Sequence, residues 1–245
     1  MHVRVNAATS VDGKLSTRHR TQVPISGQAD FERVDRLRAD SDAVMVGVGT
    51  VLADDPSLTV DADRHEARRE RGETANPDRV VADSRARTPT DARVLDGSQR
   101  SEGGDERVEG DEREDDASTT YVLVSEAAPA DRRRGLAAAG AEVIVAGEER
   151  VDLAAAFELL EAHHGVESIM VEGGGELLFS CFEAGLVDEL SVFVGSTVIG
   201  GRDAPTLVDG EGFGDVDSFV DLDLERVERV DDGVLLHWQV SDGES

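Results

Sequence analysis

Apolar positions along the chain fall into short runs separated by longer segments with helical spacing. Residues 3–8, 43–47 (AVMVG), 79–82, 121–124, 142–146 and 168–171 are brief stretches dominated by Val, Ile, Leu, Met and Ala. Short continuous apolar runs of this kind suit strands buried on both faces. Between them apolar residues recur three or four apart. Phe31, Val34 and Leu37 predict a helix over 27–39, with Ser26 as its N-cap. Further helices are predicted over 131–139, over 153–163 with Ala156, Leu159, Leu160 and His163 on one side, and over 176–184. Strands alternating with helices imply an α/β fold in three layers around a mostly parallel central sheet. The rhythm then changes: 190–194, 219–230 and 234–240 read as strands without intervening helices. The last two flank Asp231-Asp232-Gly233, a hairpin signal, so an antiparallel C-terminal edge is expected.

One segment is foreign to this rhythm. Residues 96–117 hold ten carboxylates, three arginines and almost nothing apolar. Such a stretch cannot bury enough surface to offset the entropy of ordering it. It reads as a disordered acidic insertion between two strands of one domain spanning 1–245; an acidic docking segment is the alternative.

Charge narrows the function classes. The chain carries 53 acidic and 25 basic residues, a formal net charge of −28. That field repels phosphate backbones and anionic lipid, so nucleic-acid and membrane partners are disfavoured. Carboxylates spread along the whole sequence fit a halophilic surface, whose self-repulsion ambient salt screens. Lys14 is the single lysine; every other basic residue is arginine. Cys181, the one cysteine, lies in an apolar helical pattern and reads as a buried, inert thiol. The six histidines show no metal spacing, so no metal site is expected. No apolar run is long enough to span a bilayer and the N-terminus lacks a signal-peptide core, so a cytoplasmic protein is expected.

Candidate chemistry gathers where strands end. Glu172-Gly173-Gly174-Gly175-Glu176 stands between a strand and a helix. Glycines there allow close backbone approach to an anion, and the helix start offers free N–H groups. A dinucleotide diphosphate would suit it; a plain tight turn would too. In Gly47–Pro56, Thr50 and Asp54 are four apart and share one side if a helical turn runs there, although a solvated or capping role is as ordinary for an Asp. Asp55-Pro56 should end that turn, since a residue before proline avoids the helical region. Ser84, Arg85 and Arg87 leave another strand: they could grip a 2′-phosphate or simply pair with nearby carboxylates. Asn6 to Lys14 leaves the first strand into a turn. In a parallel sheet all these exits line one edge, the usual ligand side of open α/β sheets.

Four blocks together, NAATSVDGK, LRADSDAVMVGVGTVLADDPSLTV, VVADSRARTP and IMVEGGGELLFSCFEAGLVDEL, resemble the reductases of riboflavin biosynthesis. The resemblance runs from the first strand to the last, the acidic insertion excepted, and includes no deaminase zinc motif. It implies a dihydrofolate-reductase-like fold, a homodimer, and NADPH as cofactor, with NADH possible. It also implies reduction of a ribosylamino-pyrimidine phosphate to the ribitylamino compound. Carried over by motif, Thr50, Asp54, Ser84, Val151, Gly173, Gly174, Gly175 and Glu176 would contact the dinucleotide. Arg38, Leu58 and Glu172 would line the substrate site. The bacterial members carry Arg where this chain has Asp61 and Trp where it has Pro24, so Lys14 is a candidate for sharing the phosphate. Glu172 and Asp12 are the carboxylates to test for charge stabilisation or proton delivery. A pterin reductase of the same fold and a non-catalytic nucleotide-binding module are the competing readings.

Overall fold

The computed structural model describes residues 1–21, 23–96 and 117–241. The acidic insertion read over 96–117 lies, but for its two end residues, outside the described residues. Strand β1 (His2–Ser10) is followed by α1 (Gln28–Ala39), β2 (Ala43–Gly47), α2 (Val48–Asp54), α3 (Ala62–Glu70) and β3 (Asp78–Ala82). Then come β4 (Thr120–Val124), α4 (Ala130–Ala138), β5 (Glu142–Val145), α5 (Leu153–His164), β6 (Ser168–Gly173) and α6 (Gly175–Glu183). Three strands without helices close the chain: β7 (Glu189–Gly195), β8 (Leu222–Val230) and β9 (Gly233–Val240).

They form one nine-stranded sheet in the order β5-β4-β3-β2-β6-β1-β7-β9-β8. Strands β1 to β7 pair in parallel, while β9 runs antiparallel to β7 and β8 antiparallel to β9. Alternation within the apolar runs sorts side chains onto two covered faces. Met45, with Val5, Leu123 and Val171, packs against Phe157 and Leu160 of α5 and Leu178 and Cys181 of α6. Its neighbours Val44 and Val46, with Val81 and Val122, face Val51 of α2 and Leu136 of α4. This is the expected three-layer arrangement with an antiparallel C-terminal edge.

Several local expectations need correction. Helix α1 has Gly27 as N-cap, not Ser26, and no side chain of its own segment caps it. The carboxylate of Asp231, in the β8–β9 turn, instead accepts hydrogen bonds from the amides of Ala29 and Asp30. A partner about 200 residues away replaced the local one. Phe31, placed on the apolar face by spacing, is 58 % exposed, and the helix buries Asp30 and Ala39 instead. On α5 the buried residues are Leu153, Ala156, Phe157 and Leu160, with Leu159 half-buried against the same core, while His163, expected on that side, is exposed. Helix α3 went unforeseen because its sequence, ADRHEARRE, offers no apolar stripe; what it buries is Arg68, whose guanidinium bonds the carbonyls of Ala39, Ser41 and Thr74. The turn expected to end at Asp55-Pro56 does end there: Asp55 caps α2 in the left-handed region (φ 43°, ψ 58°).

Candidate active site at the carboxyl edge of the sheet

Because β1, β2, β3 and β6 are parallel, their C-terminal ends open on the same side. A cleft of about 570 Å³ lies there, lined by Ala8 of β1, Val46 and Gly47 of β2, Ala82 of β3, and Glu172 and Gly173 of β6. Into it project Thr50 and Asp54 of α2, with Ser84, Val151, Gly174, Gly175 and Glu176 from the loops and the start of α6. Arg38 at the end of α1 and Leu58 complete the set. Eleven residues foreseen as dinucleotide or substrate contacts, scattered from 38 to 176, therefore share one cavity.

The glycine segment has the backbone this location demands. Gly174 holds φ at 88°, a left-handed conformation that costs a side-chain-bearing residue steric energy. At Gly175, a Cβ would stand 2.8 Å from the Thr206 carbonyl oxygen and 2.9 Å from the Asp209 carboxylate. The start of α6 thus borders the cleft beside Thr50, with Gly175 packed closely against the 206–209 loop. A glycine-bearing helix start is a place where backbone N–H groups can hold an anion.

Arg38 and Glu172 face each other across the cleft floor. Arg38 Nε and Nη2 donate to the two Glu172 oxygens at 2.5 and 2.6 Å, and Nη1 donates to the Thr59 carbonyl at 3.0 Å. Burial pulls the Arg38 guanidinium toward neutrality, but the charge and hydrogen bonds of Glu172 outweigh it and hold its pKa above the ordinary arginine value. Leu58 is buried with φ at 55°, unusual for a bulky side chain and costing about 1–3 kcal/mol. The two residues that follow it are held in place, Thr59 by the Arg38 bond to its carbonyl and Val60 by the Asn76 side chain accepting its amide.

Two candidates stand apart. Asp12 is not among the lining residues; its carboxylate accepts hydrogen bonds from the Ser10 hydroxyl and the Ile199 and Gly200 amides. It ties the β1 exit to the loop after β7. Lys14 is likewise outside the lining, its ammonium donating to the Ala204 carbonyl at 3.1 Å. Their neighbours Leu15, Ser16 and Arg20 do line the cleft, with Pro205 and Asp209 from the facing loop. Sequence reading missed these residues and Arg150. The only available signal for Arg150 was its place beside Val151.

Charge in the cleft departs from that of the chain. Four arginines (Arg20, Arg38, Arg87, Arg150) stand against four carboxylates (Asp54, Glu172, Glu176, Asp209). A net charge of −28 elsewhere gives way here to local balance, which lets an anionic ligand approach.

Comparison with known proteins bears on the family and the fold. Residues 1–236 match the family described as the RibD C-terminal domain. The chain belongs to that family. Among its relatives are two named 2,5-diamino-6-ribosylamino-4(3H)-pyrimidinone 5′-phosphate reductase. The one from Archaeoglobus fulgidus is 45 % identical over 233 residues, covering 95 % of this chain and 94 % of that one. The one from Methanothermobacter thermautotrophicus is 42 % identical over 241 residues, covering 98 % of each. The fold matches RibD of Acinetobacter baumannii at a TM-score of 0.73 and 25 % identity, covering 98 % of this chain and 58 % of that one. It also matches a pyrimidine reductase-like protein of Corynebacterium diphtheriae at a TM-score of 0.75 and 21 % identity, covering 98 % and 92 %. This chain thus corresponds to little more than half of the RibD polypeptide and to nearly all of the archaeal reductases.

Proposed function

We propose that this chain reduces the ribosylamino group of 2,5-diamino-6-ribosylamino-4(3H)-pyrimidinone 5′-phosphate to a ribitylamino group, a step of riboflavin biosynthesis. NADPH is the expected reductant, with NADH the alternative. The observation that carries the reading is one cleft in which the glycine segment, Thr50, Asp54, Ser84 and Val151 stand beside Arg38, Leu58 and Glu172.

Thr50, Asp54 and the amides at the start of α6 would hold the dinucleotide, with Ser84 and Val151 toward its adenosine end. A reduced nicotinamide bound there supplies the hydride. The protein's own work is to place C1′ of the opened sugar against it and to stabilise the positive charge at that carbon. Glu172 is the carboxylate of the cleft best placed for charge stabilisation, because Arg38 fixes both of its oxygens. Arg38 would also face the ribose phosphate. Ring opening, hydride addition at C1′ and protonation of the sugar oxygen add one hydride and one proton overall.

The same reading makes the protein a cytoplasmic homodimer of a salt-rich cell. Strand β8 is exposed along nearly its whole length and carries Leu222, Leu224 and Val227 outward, near exposed Phe219. A second copy would cover that edge. Among the described residues no helix is long and apolar enough to cross a membrane.

The test is NADPH oxidation in about 2 M KCl, which screens the surface charge, with the pyrimidinone phosphate as substrate and dihydrofolate as control. Oxidation that depends on the pyrimidinone and yields a product two mass units heavier supports the proposal. Turnover of dihydrofolate instead would favour a pterin reductase, and nucleotide binding without any turnover would favour a binding module.

A further inference from the structure

Helix α1 carries Arg38 into the cleft, yet among the described residues it gives no side chain to either apolar core cluster. What it buries is Asp30 and Ala39. Its place against the sheet is therefore set by polar contacts. Midway along it, the Arg33 guanidinium donates to the Asn6 side chain of β1 at 2.8 Å, to the Ser191 hydroxyl of β7 at 3.0 Å and to Asp30 at 2.8 Å. At its C-terminal end Arg38 grips Glu172 and the Thr59 carbonyl, and the Ala39 carbonyl accepts from Arg68 and Arg71.

The N-terminal end is tied to the far end of the chain. Asp231 Oδ1 accepts from the Ala29 amide at 3.3 Å, and Oδ2 from the Asp30 amide at 3.1 Å. These are the second and third amides of the helix, the ones an N-cap side chain ordinarily takes. The two partners are fitted to each other. A Cβ on Gly27 would stand 2.6 Å from Asp231 Cγ and 2.7 Å from its Oδ2, so the remote carboxylate fills the space that a local cap would use. Asp231 holds φ at 50°, a left-handed conformation that Asp tolerates better than most side chains. Beside it in the β8–β9 turn, Asp232 accepts the Ser196 hydroxyl at 2.7 Å, which fastens the turn just past the end of β7.

We propose that Asp231 is a positioning residue for the reaction: by holding the start of α1 to the C-terminal hairpin, it sets where Arg38, and through it Glu172, stand in the cleft. The inference rests on the reading of Glu172 as the carboxylate that stabilises charge. A rise of about 1.5 Å per residue puts Arg38 about 12 Å along the helix axis from Asp30. A short helix outside the apolar core moves as a rod about its remaining ties, so releasing one end displaces the other. A misplacement of about 1 Å at a reacting group can cost about 10²-fold in rate.

The experiment compares D231G, which removes the carboxylate and leaves the left-handed turn unstrained, with D231N, which keeps one acceptor oxygen. D231G should slow single-turnover hydride transfer to the pyrimidinone about 10- to 100-fold with the KM for the nucleotide unchanged, and D231N should fall between it and the parent. D232N, on the same turn, should react as the parent does. Two further variants separate positioning from helix capping. In D231G/G27S the vacated space admits a local serine cap, which should restore the melting temperature but not the rate, because the tie to the hairpin is still missing. In an E172Q background D231G should cost less than about twofold, because the group it positions has already lost its charge. A D231G variant as fast as the parent, a serine cap that restores the rate together with the melting temperature, or costs of D231G and E172Q that multiply would each overturn the proposal. Exchange of the Arg38 Nε–H, followed by NMR, needs no turnover and should be faster in D231G; equal exchange in both proteins would also overturn it. If that exchange is faster in D231G while neither protein reduces the pyrimidinone, the tie from Asp231 to Arg38 stands and the substrate reading fails.

Discussion

Arg38 and Glu172, 134 residues apart, meet through two hydrogen bonds of 2.5 and 2.6 Å on the floor of the cleft. Both oxygens of the carboxylate are engaged by a guanidinium that the Thr59 carbonyl also holds. Glu172 is thereby oriented without help from a ligand, as preorganised electrostatic stabilisation requires. Glu172→Gln keeps the shape and removes the charge. Single-turnover hydride transfer should slow by about 10²–10³-fold, the usual cost of one such group, with nucleotide affinity unchanged. A variant as fast as the parent would remove Glu172 from the reaction.

Asp12 gives a pH dependence that concerns loop order and not chemistry. Its carboxyl is held down to about 2 from an ordinary 3.8, first by the Ser10 hydroxyl and then by the Ile199 amide. A lowered folded-state value stabilises the fold above the ordinary value and ceases to as pH falls through the lowered one. The tie from β1 to the 199–200 backbone should hold above about pH 4 and be lost toward pH 2. Amide exchange at Ile199 and Gly200 would report it. Asp12→Asn should show weakened protection already at neutral pH, and equal protection in both proteins would refute the tie.

Arg79 is a buried staple at the base of the acidic insertion. Its guanidinium donates to the Asp96 carbonyl and to the carbonyl and hydroxyl of Ser118, residues that flank 97–116. Both ends are therefore fixed by the core. Replacing 97–116 with a short Gly-Ser linker should leave the fold and activity intact, since such a change in loop length alters closure entropy by only about 1 kcal/mol. Arg79→Met should instead destabilise by about 3 kcal/mol, because it strands buried carbonyls. Denaturant unfolding of the two variants separates these effects; a linker variant that does not fold would give the insertion a structural role.

Cys181 packs on α6 against the sheet, and burial pushes its thiol up to about 12. A thiol so held is neither ionised nor reachable. Labelling by an aromatic disulfide reagent at pH 8 should proceed only at the rate of unfolding, and rapid labelling of the folded protein would contradict this burial.

The legibility of the chain followed the range of the forces involved. Element order, the parallel sheet and its antiparallel edge were readable because strands buried on both faces read as short unbroken apolar runs, as in β2 and β4, and helices as apolar positions three or four apart. The cleft was partly readable too: in a parallel sheet, strand exits share an edge, and the 47–56 and 172–176 segments lie at such exits. What depended on distant partners was not. Helix α3 has no apolar stripe and is organised around the single buried Arg68. The cap of α1 comes from Asp231, and a serine at the expected place goes unused. Asp12 and Lys14 sit in a motif beside the cleft, yet the loop after β7 takes up both side chains. Arg85 and Arg87 look equivalent in sequence, but Glu149 claims one and leaves the other in the cleft. Arg150 enters only because a hydroxyl at Ser84 meets the amide of Val151. Which residue types stand at each strand exit follows from local pattern alone. Which of their charges the protein neutralises, and which stay open to a ligand, was settled by the fold, because pairing depends on atoms brought within about 4 Å of one another.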